Sequence, residues 1–192
     1  VSISSSTHLR NGEYLIGGTF LNSIRLGQNT LSKQGNINGF VSNFGIDGKI
    51  GLSLHLISSG SLTVGSILAG PDDELYIMGD FTDSLKVGPY SVTARGGSDL
   101  YIVQWSKEGA LKNLTRLGGS GDEYFKKSII VRNNFLISGQ FTGTFSHDAY
   151  SVKSNGQKDG FILKVPQVEV SNIEWFKNFG GVNDDFVSDL GI

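Results

Sequence analysis

The chain of 192 residues has no cysteine, only three prolines and one methionine. Without cysteine there are no disulfides and no thiolate ligands for zinc, although such a chain suits compartments on either side of a membrane. No apolar run approaches the roughly 18 residues that a membrane-spanning helix needs. The sequence therefore predicts no membrane span.

Charge is also scarce and evenly mixed along the chain. The 16 Lys and Arg residues face 18 Asp and Glu residues, which gives a formal net charge of −2. The densest basic spot is only the lysine pair in "FKK" at 125–127. Because nucleic-acid binding needs a basic face or stripe, we expect no nucleic-acid partner.

Glycine is abundant, with 27 residues, and this predicts many tight turns. Between the turns lie short segments rich in aromatic and β-branched residues, such as "LYIMGDF" at 75–81 and "DLYIVQW" at 99–105. No long stretch shows helical periodicity. The sequence predicts an all-β fold, with glycine-containing hairpin turns at "IDGK" (46–49) and "KEGA" (107–110).

Three short phrases recur along the chain in the same order. The first is an apolar strand ending in Gly-x-Phe, and its phenylalanines are spaced 61 and 60 residues apart. The second phrase is "NGFVSNF", "SDLYIVQW" and "KDGFILKV", and the third is "GGSGDEYF" and "GGVNDDFV", with a degraded copy in "ISSGSLTVG". The structural anchors of the first phrase are Gly18, Phe20, Gly79, Phe81, Gly139 and Phe141.

This period divides the chain into three repeat units. We place them at about 14–74, 75–134 and 135–192, with residues 1–13 belonging to the phase of a preceding unit. Each unit holds about four strands, which cannot bury both faces of their sheet alone but can do so by stacking around an axis. We predict β-propeller-type repeats, about three four-stranded blades of about 60 residues, in which Phe fills the space between sheets and Gly permits close backbone approach or a bulge.

Three blades are too few to close a propeller, which usually has at least four. The final residues, "DDFVSDLGI" at 184–192, repeat the opening of another unit. We therefore expect the chain to be part of a larger propeller, with the remaining blades supplied by the same chain or by another subunit. The alternative is that several short chains associate to close a ring.

The second unit reads "IMGDF", "RGGSDLYIVQW", "SKEGALKNLTRLGG" and "SGDEYF", and the third reads "ISGQFTGTF", "KDGFILKV", "IEWFKNFGG" and "VNDDF". This succession resembles the SBBP-type bacterial β-propeller repeat family of Bacteroidetes-like surface and secreted proteins, over nearly the whole chain. Two features depart from the family: the first unit lacks Trp and the Gly-Gly pair, and "VPQVEVSN" at 165–172 replaces a short turn. The resemblance implies an extracytoplasmic, non-catalytic scaffold or binding module.

The residues show no catalytic pattern. The histidines at 8, 55 and 147 fall at different phases of the repeat, and no Gly-x-Ser-x-Gly elbow is present. "GGSGD" lacks the Lys-Ser/Thr of a phosphate-binding loop. We expect no catalytic residues and no cofactor, and we expect Trp105 and Trp175 to be buried rather than to stack on sugars.

Paired carboxylates are the main candidates for a metal site, at Asp72/Asp73, Asp122/Glu123 and Asp184/Asp185. They lack the alternating acidic spacing of a calcium loop. The favoured interpretation is that they accept backbone N–H groups and fix turns, and a calcium site is the alternative. We therefore assign no metal ligands from the sequence.

Function is expected where the units differ, which is in the loops 27–37, 88–97 and 147–157. We infer a module that binds protein or glycan at the cell surface. The alternatives are a structural subunit of a cell-envelope or secretion assembly and a propeller hydrolase with a site in its central channel. The candidate ligand-binding residues are Arg25, Lys33, Tyr90, Arg95, His147, Tyr150 and Lys153.

Overall fold

The structure is a computed structural model that describes residues 1–71 and 73–191. Asp72, from the first predicted carboxylate pair, lies outside the described residues. The described residues form 16 strands and no helix, which confirms the all-β prediction. Among them there is accordingly no helix of the length and apolarity that a membrane crossing needs.

The first unit is an antiparallel meander that carries a small hairpin. Its strands are β1 (Ser2–His8), β2 (Tyr14–Phe20), β3 (Ser23–Leu26), β4 (Asn29–Ser32), β5 (Ile37–Phe44) and β6 (Ile50–Ser58). The order in the sheet is β1-β2-β5-β6, and β3 pairs only with β4. The hairpin thus connects the second strand of the sheet to the third.

The second unit repeats this plan with two long strands. It consists of β7 (Ser66–Ala69), β8 (Leu75–Val87), β9 (Tyr90–Trp105) and β10 (Leu111–Leu117). A register shift divides β8 at residues 82–84. The outer halves of β8 and β9 beyond this shift, 84–87 and 90–93, pair with each other and take the place of the β3–β4 hairpin.

The third unit contains β11 (Glu123–Val131), β12 (Asn134–Phe141), β13 (Thr144–His147), β14 (Tyr150–Lys153), β15 (Asp159–Pro166) and β16 (Trp175–Phe179). Its sheet order is β11-β12-β15-β16, with β13–β14 as the hairpin. The third sheet is separate, whereas β6 pairs with the outer half of β8 and joins the first two units into one eight-stranded sheet. The described residues form neither a closed barrel nor a closed ring of sheets.

Hydrogen bonding groups the strands as 2–58, 66–117 and 123–179. Each group begins one strand before the boundaries that we drew from the Gly-x-Phe phrase. In particular, β1 pairs with β2, from Ser2 opposite Thr19 to His8 opposite Tyr14. Residues 181–191, which repeat the sequence of β11, form no strand here.

The hydrophobic core lies between the units. One cluster of buried residues joins Leu15 and Leu56 of the first unit to Ile77, Phe81 and Val103 of the second. A second cluster combines residues of the second and third units, namely Met78, Ile102, Leu117, Phe135, Phe141 and Phe161. Each unit therefore buries at least one face against a neighbouring unit, and the middle unit contributes to both clusters.

The Gly of the Gly-x-Phe phrase lies against the first strand of its own unit. A Cβ atom at Gly18, Gly79 or Gly139 would overlap a backbone carbonyl oxygen of that strand or of the residues leading into it. The first strand shifts register close to this point in the first and third units. Glycine therefore accommodates a β-bulge of the neighbouring strand.

Two smaller predictions can also be compared with the structure. Gly48 and Gly109 have φ of 76° and 88°, which confirms the two predicted hairpin turns. Trp105 is 3% exposed, as predicted, and it packs in the core between the first two units. Trp175 is only half-buried, because β16 is the edge strand of the third sheet.

Candidate functional site

The seven predicted ligand-binding residues lie on or next to three distal hairpins. We use this name for β3–β4, the outer halves of β8 and β9, and β13–β14. Each distal hairpin joins the second strand of an antiparallel meander to the third. All three therefore leave their units at the same end, while the turns between first and second strands and between third and fourth strands lie at the opposite end.

Four of the seven residues are exposed cations: Arg25, Lys33, Arg95 and Lys153. At least one comes from each distal hairpin or the residues that follow it. Arg25 donates a hydrogen bond from Nε to the Gly27 carbonyl at 3.1 Å, which orients its guanidinium beside the hairpin turn. Lys33, Arg95 and Lys153 lie near the bases of the hairpins, whereas Arg25 lies near the tip of β3–β4, where Gly27 approaches Ile50 at the start of β6. They are separate exposed cations that can contact acidic or hydroxyl-bearing groups.

The other three residues hold the hairpins in place through their polar atoms. The Tyr90 hydroxyl donates to the Lys112 carbonyl at 3.0 Å, and the Tyr150 hydroxyl donates to the Glu174 carbonyl at 2.5 Å. The two tyrosines are 60 residues apart and make equivalent hydrogen bonds in successive units. His147 Nε2 lies 2.7 Å from the carbonyl oxygen of Ser171.

A buried Asp or Asn opens the third strand of every unit. Asn38, Asp99 and Asp159 are all 0% exposed. A side-chain oxygen of each accepts the backbone N–H of the residue four positions earlier, at 3.1, 2.9 and 3.0 Å respectively. This bond fixes the turn that leads from the distal hairpin back into the sheet.

Each of these residues also meets a polar partner on the fourth strand. His55 Nε2 lies 3.1 Å from Asn38 Oδ1, and the Arg116 guanidinium pairs with Asp99 at 2.6 Å. In the third unit the Asn178 side chain donates to Asp159 at 3.2 Å. These pairs were not predicted from the sequence, although His55 and Arg116 stand 61 residues apart and so share one phase of the repeat.

Glu123, the first residue of β11, joins the pair of Asp99 and Arg116. Its side chain is 0% exposed, and its Oε2 accepts the N–H of Gly119 at 3.1 Å. Burial raises the pKa of Glu123 to about 9; the N–H of Gly119 opposes this rise, and the nearby Asp99 carboxylate adds to it. Glu123 is therefore a neutral acid near pH 7 that can donate its proton to Asp99, while Arg116 balances the Asp99 charge.

The predicted role of the carboxylate pairs as turn-fixing acceptors thus fits Glu123. Its neighbour Asp122 accepts a hydrogen bond from the Tyr124 hydroxyl at 3.2 Å. In the last repeat, Asp185 corresponds to Glu123, and it accepts the N–H of Gly181 at 2.8 Å. In both places the acidic residue closes the turn made by the Gly-Gly pair.

A polar cleft of about 360 Å³ lies between the second and third units, at the end opposite the bases of the distal hairpins. It is lined by Pro71, Glu74, Tyr76, Gln104, Asn133, Gln167 and Val168. Glu74 accepts the Tyr76 hydroxyl at 2.7 Å and the Gln104 amide at 2.9 Å and also pairs with Lys112, and together these contacts lower its pKa despite the opposing effect of burial. The cleft was not predicted from the sequence, in which its one signal is the "VPQVEVSN" insertion that supplies Gln167 and Val168.

The three histidines lie on separate strands, with His8 on β1, His55 on β6 and His147 on β13. Within residues 1–71 and 73–191, no three His, Asp or Glu side chains come together as a metal-binding group. The chemistry that the described polar side chains offer is hydrogen bonding and ion pairing at the distal hairpins and in the polar cleft. No family model matches the chain, and no curated protein matches it in sequence.

Proposed function

We propose that the chain is a segment of an SBBP-type β-propeller and serves as a non-catalytic binding or scaffold module of a bacterial extracytoplasmic protein. In this proposal each unit is a blade, and the remaining blades come from the same chain or from another subunit. The supporting observation is the repeated plan of an antiparallel four-stranded meander with a distal hairpin, with the hydrophobic core lying between successive units.

The distal hairpins are the proposed binding surface, with protein or glycan as the ligand. The strands and buried polar pairs repeat from unit to unit, whereas the exposed hairpin residues differ. The Tyr90 hydroxyl attaches the second hairpin to β10, and Tyr150 and His147 attach the third hairpin to the segment that leads into β16. A surface held in this way loses little conformational entropy when it binds a ligand.

A charge-matched pair of variants tests this surface. The distal variant replaces Arg25, Lys33, Arg95 and Lys153 by Ala, and the control variant replaces four exposed cations outside the hairpins, Arg10, Lys126, Arg132 and Lys177. Binding is measured on immobilised envelope polysaccharides and purified envelope proteins from bacteria. We expect at least one of these to bind, with affinity reduced about tenfold or more in the distal variant and unchanged in the control.

Loss of binding in both variants would show only a non-specific charge effect. Equal binding in both variants would place the ligand elsewhere, with the polar cleft around Glu74 and Gln167 as the next surface to test. Failure of every probe to bind the unmodified protein would contradict the binding function.

A structural role in a larger assembly is the second candidate, and an apolar surface favours it. Phe179, Val182 and Phe186 on the outer side of the third unit are 52%, 80% and 71% exposed. Exposed apolar clusters of this kind are typical of surfaces that another unit or subunit covers. Hydrogen exchange of the assembled protein should show residues 179–187 protected, and full exchange there would exclude this role.

A further inference from the structure

The polar cleft between the second and third units combines buried polar side chains with an open rim. Tyr76 and Gln167 are 3% and 6% exposed, whereas Asn133 and Val168 are exposed. The cleft volume of about 360 Å³ lies in the range of roughly 300–1,000 Å³ that is typical of small-ligand sites. The cleft can therefore enclose a small molecule or the end of a longer one.

Gln167 enters the cleft on a segment that has no equivalent in the other two units. The insertion "VPQVEVSN" carries it, and its backbone N–H donates to the Asn133 carbonyl at 3.1 Å. Its side-chain Nε2 is buried and has no hydrogen-bond partner among the described residues. A buried donor without an acceptor is costly, and a half-turn of the amide group, which exchanges its nitrogen and oxygen, presents this donor to the cleft.

Two further side-chain amides line the same cleft. Gln104 donates from Nε2 to the Glu74 carboxylate at 2.9 Å. In the described part of the chain, neither the Gln104 oxygen nor the Asn133 side chain has a hydrogen-bond partner. Each amide group can donate and accept at once, so the three amides offer both kinds of bond to one ligand.

Charge in the cleft is balanced by the protein itself. Among the described lining residues Glu74 alone is charged, and it pairs with Lys112 while it accepts from Tyr76 and Gln104. A charged or zwitterionic ligand would lose its hydration here without gaining a countercharge from these lining residues. This arrangement therefore favours a neutral ligand.

We propose that the polar cleft binds a neutral sugar, either a single hexose or the end unit of a glycan. Sugar hydroxyls both donate and accept hydrogen bonds, which matches the amides of Gln104, Asn133 and Gln167. Pro71 and Val168 supply apolar surface for the C–H face of the sugar ring. The cleft is separate from the hairpin surface proposed above, and its binding can be tested independently of that surface.

NMR titration of the ¹⁵N-labelled protein tests this site, because the side-chain NH₂ groups of Gln and Asn give signals of their own. The probes are glucose, galactose, mannose and N-acetylglucosamine, each raised to about 100 mM so that millimolar affinity is detected. We expect at least one sugar to shift the side-chain signals of Gln104, Asn133 and Gln167. Glucuronate should bind more weakly than glucose, because its carboxylate would lie near Glu74.

Q167L removes the amide group and keeps the backbone contact with Asn133, so it should weaken sugar binding roughly two- to tenfold. Q34L is the matched control, because it changes an exposed glutamine outside the cleft and should bind as the unmodified chain does. N133G gives a second variant, since glycine readily adopts the φ of 61° found at Asn133. It should keep the fold and also bind sugar more weakly.

Three results would overturn the sugar site. The first is the absence of any shift with all four sugars, and the second is binding that Q167L and N133G both leave unchanged. The third is a sugar response that Q167L keeps but that disappears in the variant lacking Arg25, Lys33, Arg95 and Lys153. That last result would place the sugar at the hairpins and would leave the proposed binding function intact.

Discussion

At the scale of single residues, one buried position near the start of the third strand is shared by all three units. It shows which property of its side chain the turn requires. Asn38, Asp99 and Asp159 all accept the N–H four residues earlier, yet only two of them are acids. An acceptor is therefore the shared requirement, and charge is secondary. In the first unit the residue is Asn38 and its partner is His55. Because burial lowers the pKa of His55, this unit keeps a neutral pair.

Glu123 makes the stability of the protein depend on pH. Because burial raises its pKa from about 4.5 to about 9, the folded chain holds a proton that the unfolded chain releases. Its stabilising contribution is therefore complete below about pH 4.5 and is lost as pH rises toward 9. The free energy of unfolding should fall between pH 5 and 8 by at most about 1.4 kcal/mol per pH unit.

E123Q should reduce this slope, because glutamine cannot release the proton. Chemical denaturation at a series of pH values measures the effect. E169Q, which changes an exposed glutamate of the third unit, should keep the slope of the unmodified chain. An E123Q variant with an unaltered slope would contradict the neutral state assigned to Glu123.

At the scale of elements, the units meet through glycine backbone. A Cβ atom on Gly119, after the last strand of the second unit, would overlap the Thr144 carbonyl and the Ser146 N–H group of β13. The equivalent Gly181 has nothing within 4 Å of such an atom. The two glycines are alike in sequence and differ in whether another unit lies against them.

G119A should therefore separate β13–β14 from the second unit and destabilise the chain by about 1–3 kcal/mol, as overpacking does. G181A should leave the stability of this chain unchanged within about 0.5 kcal/mol. Urea unfolding of both variants measures the difference. Equal losses would show that the effect comes from glycine's backbone freedom rather than from contact between units.

The distal hairpins depend on their tyrosine bonds. Y90F and Y150F each remove one hydroxyl that donates to a backbone carbonyl, and each should cost about 0.5–1.5 kcal/mol. Amide hydrogen exchange should become faster in the hairpin that carries the substitution. Unchanged exchange in both variants would mean that the hydroxyls do not hold the hairpins.

The sequence predicted where strands and turns form, but it did not predict which strands pair with one another. Alternating apolar segments and glycine turns predicted strands such as β8 and β9, because side-chain burial and turn geometry are local. The pairing of β1 with β2 was not predicted, since hydrogen bonds between strands leave no local signal. The loops 27–37 and 88–97 proved to lie in or beside hairpins, and the cleft around Gln167 arises only when an insertion in one unit folds against another.

For the candidate site, the sequence indicated exposed residues but not the contacts between side chains on different strands. Arg25, Lys33, Arg95 and Lys153 were chosen from the differences between units, and all four are exposed. That they bind a ligand stays a prediction. Arg116 could not be recognised as the partner of Asp99, because ion pairs across strands depend on register. The same holds for Gln104 and Gln167, which only the fold brings to the polar cleft.

At the scale of the whole molecule, the chain is a succession of units that need neighbours. Two core clusters lie between units, so each unit contributes its faces to a shared interior. The outer unit at the C-terminal side leaves Phe179, Val182 and Phe186 exposed. The proposed propeller accounts for this surface, because in a closed ring the next blade would cover it.

The most direct test of the propeller proposal is the intact mass and native assembly of the protein from its source, followed by electron microscopy of the particle. We predict a closed ring of blades, formed either by a polypeptide longer than 192 residues or by several copies of the 20.6 kDa chain. A stable, fully folded 20.6 kDa monomer with no further blades would contradict the proposal.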